Sequence, residues 1–162
     1  MTTKNGSEKE GDKIIQLENS LWDYACKIYS QPGVEAALLA LQDNHGADIN
    51  LILQALWLAS EGRQWTKACI PNDYDQWMEE QVLPLRQMRR NMKVEWPQQA
   101  DFRQQVKKLE LKAEQYALGM LFACCDITQG SQEELKRVDL QLLGQEMNIL
   151  AEHFDILIIL VQ

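Results

Sequence analysis

The stretch from about residue 48 to 61 constrains the fold most, because it is apolar on nearly every side of a helix. Its sequence is DINLILQALWLASE, and Gly62 follows it. A helix that is hydrophobic all round is buried in the interior of a protein. We therefore expect a central helix that begins after an N-terminal cap at Asp48 and is enclosed by other helices.

Five further segments carry apolar residues at helical spacing, and none of the chain alternates like a strand. They span about 20–30, 32–46, 72–94, 98–125 and 131 to near the C terminus, with Gln129-Gly130 between the last two. Pro84 predicts a kink or a break in the segment at about 72–94, and Gly144 should weaken the last helix. Pairs with capping-box spacing open the first and the last of these segments, Ser20 with Asp23 and Ser131 with Glu134.

The fold class that follows is all-α, a single-domain irregular bundle of about six helices around the central helix at about 48–61. A chain of 162 residues is long enough to bury one core and short enough for one domain. We expect the domain to occupy 18–162. Residues 1–17 are polar and without periodicity, which predicts a flexible tail, and they lack the apolar run of a secretory signal.

Charge and cysteine usage exclude several classes of function. The chain has 24 acidic and 16 basic residues, and its net charge of -8 would repel a nucleic-acid backbone. The longest apolar run, 156–161, is far shorter than the roughly 20 residues of a membrane span. The four cysteines lack CxxC spacing, so we expect reduced thiols without a zinc site, and a cytoplasmic location.

The region from 21 to 62 resembles an uncharacterised family of small bacterial proteins. The resemblance rests on the pattern LWDYA, PGV, LQ, GAD, N and LWLA in that order, and a weaker similarity follows in LPLRQMRRNMK at 83–93. It implies a helical cytoplasmic protein and no assigned activity. The C-terminal third shows no such resemblance.

Polar residues interrupt the central helix along one narrow stripe that also contains Trp57. Asn50 and Gln54 are four residues apart and therefore share a face. One interpretation is a solvent-facing rim or a set of satisfied internal hydrogen bonds, which is the usual state of buried polar groups. The other is a ligand pocket between helices, lined by Trp22, Trp57 and Tyr116 and anchored by the two amides.

Basic residues recur at helical spacing in one part of this acidic chain, and we call them the basic ridge: Arg86, Arg89, Arg90 and Lys93. Arginine forks suit carboxylates and phosphates, so the ridge is a candidate docking site for an acidic or phosphorylated partner. The simpler interpretation is a set of ion pairs with Glu110 and Glu114 on the following helix. We expect Arg86 and Arg89 to be paired internally, and Arg90 and Lys93 to remain in solvent.

No catalytic, nucleotide-binding or metal-ligand motif occurs, and His45 and His153 lack metal-ligand spacing. We therefore assign no catalytic residue, metal or cofactor. The function predicted first is a non-enzymatic helical interaction module, an adaptor or regulator that binds an unknown cytoplasmic protein. A homo-oligomer is the other partner that we consider. The alternatives are a small-molecule or acyl-chain binding protein with an interhelical pocket, and an enzyme whose active site the sequence does not reveal.

Overall fold

The computed structural model describes residues 14–125 and 132–162, with no description of the side chains of 132–138. Within these ranges the fold is all-helical and contains no strand, as predicted. The helices are α1 (Ser20–Tyr29), α2 (Val34–His45), α3 (Ile49–Ser60), α4 (Tyr74–Trp77), α5 (Leu83–Glu95), α6 (Ala100–Phe122), α7 (Gln132–Glu146) and α8 (Asp155–Leu160).

Helix α3 is the centre of the bundle, which confirms the prediction from its composition. Every residue from Ile49 to Ala59 is buried, and α1, α2, α6 and α7 all pack against it. The predicted cap is also present, because the Asp48 carboxylate accepts hydrogen bonds from the backbone N–H groups of Asn50 and Leu51. The hydroxyl of Tyr74 donates to the same carboxylate at 2.9 Å and so ties α4 to the start of α3.

The first helix begins one residue differently from the capping-box prediction. Asn19 is the cap, and its side-chain oxygen accepts the N–H of Trp22 at 2.9 Å, while Ser20 is already helical. The prediction from Ser20 and Asp23 was wrong because Asn19 supplies the acceptor one position earlier.

Pro84 distorts its helix, and the distortion is a π-helical segment that immediately precedes α5. This segment spans Met78–Val82, and the N–H of Leu83 donates to the carbonyl of Met78, five residues back. A proline ring clashes with the carbonyl four residues before it and offers no N–H, so a widened turn accommodates it without ending the helix. The helix therefore continues from α4 into α5.

Helices α5 and α6 form an antiparallel hairpin that is joined by a four-residue turn at 96–99. In the turn, the N–H of Trp96 donates to Met92 and the N–H of Gln99 donates to Trp96. Met92 and Val106 are buried between the two helices. We refer to α5, the turn and α6 as the hairpin.

The last predicted helix is interrupted shortly after Gly144, where the sequence predicted only a weakened helix. Helix α7 ends at Glu146, Asn148 takes a left-handed conformation with φ 54°, and a 3₁₀ turn at Ala151–Phe154 leads into α8. Gly144 is needed for this reversal, because a Cβ there would lie 2.8 Å from the Ile149 carbonyl oxygen. The chain returns across the glycine, and Phe154 packs into the core.

Parts of three predictions fall outside the described residues. They are the tail at 1–13, the helix break at Gln129-Gly130 and the capping residue Ser131, whose partner Glu134 lies among the undescribed side chains. At the end of the predicted tail, Ile15 contacts α6, since a Cβ on Gly119 would lie 2.5 Å from its Cγ2 atom. The amide of Gln115 also donates to the Leu17 carbonyl at 3.2 Å.

Candidate functional site

Exposed apolar side chains are concentrated on the hairpin. Of the 13 large hydrophobic residues that are exposed in the described part of the chain, eight lie on it: Leu83, Met88, Val94, Trp96, Phe102, Leu109, Leu111 and Tyr116. Single exposed apolar residues are ordinary in soluble proteins, whereas exposed apolar residues that border one groove mark a candidate binding surface. The hairpin is therefore the first place to look for a binding surface.

A groove of about 330 Å³ runs between the two helices at the base of the hairpin. Its floor is apolar and its rim carries polar and charged side chains. The Trp77 and Tyr116 rings lie 5.6 Å apart between centroids, and the Trp77 indole N–H donates to the Ala113 carbonyl at 2.9 Å. Because that N–H is used internally, the tryptophan offers the groove an apolar ring. The lining residues, which define the hairpin groove, are Trp77, Glu80, Gln81, Pro84, Leu85, Leu109, Lys112, Ala113 and Tyr116.

The groove follows from an apolar seam on α6 that is wider than one neighbouring helix can cover. Val106 and Ala113 on this seam are buried, whereas Phe102, Leu109 and Tyr116, seven residues apart, are exposed. Residues at seven-residue spacing lie on one side of a helix, and here they form the uncovered edge of the seam. The sequence predicted the seam, and the packing decided which half of it stays exposed.

The basic ridge is partly neutralised inside the hairpin, as predicted. Arg86 Nη2 lies 2.8 Å from Glu114 Oε1, and Arg89 forms a two-pronged pair with Glu110, with its Nη2 at 3.1 Å from Oε1 and its Nε in contact with Oε2. The Glu110 side chain is 7% exposed and that of Arg86 is 15% exposed. Burial raises the pKa of Glu114, and its bond to Arg86 opposes that shift. These two arginines are structural partners of the glutamates.

The other two members of the ridge are exposed, as expected. Arg90 Nη2 lies 3.3 Å from Asp43 Oδ1 on α2, and both side chains are at least half exposed. A second groove, of about 540 Å³, lies at this place and is lined by two cations and two carboxylates, Arg86, Arg90, Asp43 and Glu79, with polar and apolar neighbours. The balance of charge in this groove does not single out an anionic ligand.

The five pocket candidates do not line one pocket. Tyr116 lines the hairpin groove, and the other four do not. Gln54 is fully buried and its amide is occupied: Nε2 donates to the carbonyls of Cys69 and Leu121 at 2.9 and 3.2 Å, and Oε1 accepts from the Trp65 indole at 3.1 Å. The polar stripe of α3 therefore includes the satisfied internal hydrogen bonds of the first interpretation.

The three remaining candidates sit in or against the core. Asn50 is buried and faces the Met78 sulfur at 3.9 Å. Trp57 is buried, with the Arg63 guanidinium 5.2 Å from its ring centroid and Phe122 at 5.6 Å. Trp22 is half-buried and packs against the core.

A buried polar cluster that no sequence pattern indicated surrounds Gln54. The Nε2 atom of Gln54 lies 3.4 Å from the Cys125 sulfur. A hydrogen bond with the Cys69 thiol, together with burial, raises the pKa of Cys125. Asp139 on α7 is fully buried, and burial raises its pKa to about 7. Among the described residues, neither Asp139 oxygen accepts a hydrogen bond of normal geometry, although the nearby Trp65 amide lowers its pKa.

Two histidines that lie far apart in the sequence also come together. The rings of His45, at the end of α2, and His153, before α8, stack with centroids 3.9 Å apart. In the described part of the chain, no group of three or more His, Cys, Asp or Glu side chains is arranged to hold a metal ion. No described helix is long and apolar enough to cross a membrane.

Comparison with known protein families identifies a match. A family model described as "Protein of unknown function (DUF2390)" matches residues 20–121, more than half of the chain. No curated protein and no solved structure matches the chain. The matched span contains all residues of the hairpin groove, whereas α7 and α8 lie beyond it.

Proposed function

Given that the chain belongs to this family of proteins of unknown function, we propose that it is a non-enzymatic interaction module, an adaptor or regulator. Its docking surface is the hairpin groove, and its partner contributes a helix. The observation that carries the proposal is the apolar groove with the exposed residues that extend it, all on one hairpin. We place the module and its partner in the cytoplasm, as expected from the sequence.

The shape of the surface supports a helical ligand. Phe102, Leu109 and Tyr116 extend along α6 over 14 residues, which corresponds to about 21 Å at 1.5 Å per residue. A partner helix of about four turns would cover this edge. Amphipathic helices bind in such grooves through apolar residues at three- and four-residue spacing, and an aromatic pair such as Trp77 and Tyr116 is a typical anchor.

The basic ridge is the weaker docking candidate. Arg86 and Arg89 are already bound to carboxylates of α6, and a partner would have to break those pairs to use them. Breaking a buried pair leaves an unpaired charge and is unfavourable by several kcal/mol. The apolar groove requires no such exchange.

The same groove also supports the alternative of a small-molecule or acyl-chain binder. Its volume of about 330 Å³ is at the lower end of the range of about 300 to 1,000 Å³ that is typical of small-molecule sites. This ligand would contact Trp77, Leu85 and Tyr116 in place of a partner helix. The enzyme alternative stays a hypothesis without an assigned site.

Two leucines on α6 provide a matched pair for the test. Leu109 and Leu111 are 57% and 54% exposed, but they are two residues apart on a helix and so point about 200° away from each other. A photo-crosslinking p-benzoylphenylalanine placed at 109 or at 111 probes the groove side and the opposite side of the same helix. Adducts formed in the native cells are identified by mass spectrometry.

We expect a defined protein adduct from position 109, with the crosslink mapped to a helical segment of the partner, and no such adduct from position 111. Equal protein adducts from both positions would contradict the docking surface. Native mass spectrometry of the purified protein tests the alternative function, a small-molecule or acyl-chain binder. A retained small molecule that is lost in Leu109→Glu and kept in Leu111→Glu would favour the ligand-binding function.

A further inference from the structure

The charge of the hairpin is opposite to the charge of the whole chain. Eight of the 16 basic residues lie on α5 and α6, which carry only four acidic residues. The whole chain has a net charge of -8. The hairpin is therefore a cationic arm on an acidic protein, and its field attracts an acidic partner.

Internal ion pairs use two of these cations, and Lys112 beside the groove is not one of the two. Glu110 and Glu114, two of the four acidic residues, pair with Arg86 and Arg89 inside the hairpin. Lys112 lines the hairpin groove, and its Nζ atom contacts the Gln115 side-chain oxygen at 2.9 Å. In the described part of the chain, Lys112 forms no ion pair.

Lys108 extends this positive edge by one turn. It is exposed, like Lys112, and precedes it by four residues, so the two ammonium groups lie on the same flank of α6. Lys108 also forms no ion pair with the described residues. Both lysines border the apolar edge formed by Phe102, Leu109 and Tyr116.

The opposite wall of the groove carries a negative charge. Glu80, on the π-helical segment before α5, lines the groove and accepts a hydrogen bond from Gln76 at 2.9 Å. Gln81 beside it is neutral. The apolar floor is therefore bordered by Lys108 and Lys112 along α6 and by Glu80 on the opposite wall, while the Glu18 carboxylate accepts a hydrogen bond from the Gln115 amide at 3.0 Å.

From this arrangement we infer that the hairpin groove binds an acidic amphipathic helix, whose apolar face lies on Leu109 and Tyr116 and whose carboxylates lie along Lys108 and Lys112. The inference rests on the proposed function and names the chemistry of its partner. Charged residues at the rim of an interface set orientation and association rate more than affinity, while the apolar floor supplies most of the binding energy.

The experiment uses two designed peptides of about 16 residues, the length of a helix that covers the exposed edge of α6. Both carry the same leucine face and a fluorescein label. One has glutamates along one flank of that face, the other has lysines there, and the second flank of each is glutamine. Binding to the full chain is measured by fluorescence anisotropy at about 0.02 M and about 0.5 M salt, since salt screens exposed pairs.

We expect the glutamate peptide to bind about fivefold more tightly than the lysine peptide at low salt. This is the difference in affinity that two exposed ion pairs typically produce. The double variant Lys108→Glu with Lys112→Glu should reverse the preference. The control variant Lys107→Glu with Leu111→Glu, on the far side of α6, should keep it. Variants are compared only after circular dichroism shows the wild-type helix content.

The outcomes separate the inference from the proposed function. Equal binding of both peptides, lost in Leu109→Glu, would overturn the charge inference and leave the groove as a helix-binding site. Absence of binding by either peptide would overturn both. Sedimentation of the protein alone also decides: a dimer that dissociates in Leu109→Glu would identify a second copy of this chain as the occupant and overturn the inference.

Discussion

Reversing the charge of Arg89 tests whether the basic ridge is part of the internal structure. Arg89 is the two-pronged partner of Glu110, whose side chain is only 7% exposed. Arg89→Glu removes both hydrogen bonds and places a second carboxylate beside a buried one. Breaking a buried pair is unfavourable by about 3 to 5 kcal/mol. Because Arg89 is 31% exposed and water can reach its replacement, we expect a loss of about 2 to 3 kcal/mol.

Urea denaturation followed by circular dichroism measures this loss. With a slope of about 2 to 3 kcal/mol per molar urea, the midpoint should fall by about 1 M. Arg90→Glu is the matched control, because Arg90 pairs with Asp43 at the surface and its reversal should change stability by no more than about 1 kcal/mol. Combining Arg89→Glu with Glu110→Arg should recover part of the loss.

Two results would refute this reasoning. The first is an equal effect of Arg89→Glu and Arg90→Glu, which would mean that burial of Glu110 does not determine the energy of the pair. The second is a double variant with Glu110→Arg that is no more stable than Arg89→Glu alone, since the loss would then not arise from this pair.

Three further predictions concern the core. Leu53→Ala should lower the free energy of unfolding by about 2 to 5 kcal/mol through cavity formation, and a loss below about 0.5 kcal/mol in urea denaturation would contradict the central position of α3. The raised pKa of Asp139, about 7, favours the protonated form in the folded protein, so the free energy of unfolding should fall by about 2 kcal/mol as the pH rises from about 5 to about 7. The difference in unfolding free energy between wild type and Asp139→Asn, measured across this pH range, should show the same fall. A difference that does not change with pH would contradict the prediction. Gly144→Ala should lower stability by about 1 to 3 kcal/mol in thermal melts, because the new Cβ meets the Ile149 carbonyl oxygen, and a gain would show that helix propensity outweighs the close approach.

The candidate site was predictable where its parts are local in sequence. The spacing of Arg86 and Arg89 places them on one face of a helix, and Glu110 and Glu114 share a face of the next helix. A short connection makes consecutive helices antiparallel neighbours, so the ion pairs followed from two local patterns and one topological rule. The hairpin groove was not predicted, because the apolar residues of α6 do not by themselves indicate how many of them the neighbouring helix will cover.

The pocket that was expected at α3 also shows that local patterns do not identify distant contacts. The periodicity of α3 placed Asn50 and Gln54 on one stripe, but the residues that meet Gln54 come from 11 to 71 positions away. No spacing pattern connects Gln54 with Cys69 or Cys125. The amide was assigned to a ligand pocket as one of two interpretations, and its actual partners could be identified only from the packed structure.

The sequence by itself determined most of the helices and the centre of the fold. The all-round apolar character of 49–59 can be satisfied only by burial, and the cap at Asp48 and the helix distortion before Pro84 act within a few residues. The tertiary structure alone decided the reversal at Gly144 and the exposed edge of α6. Both depend on the close approach of segments that are fixed by the packing of the whole core, and local sequence patterns carry no information about such distances.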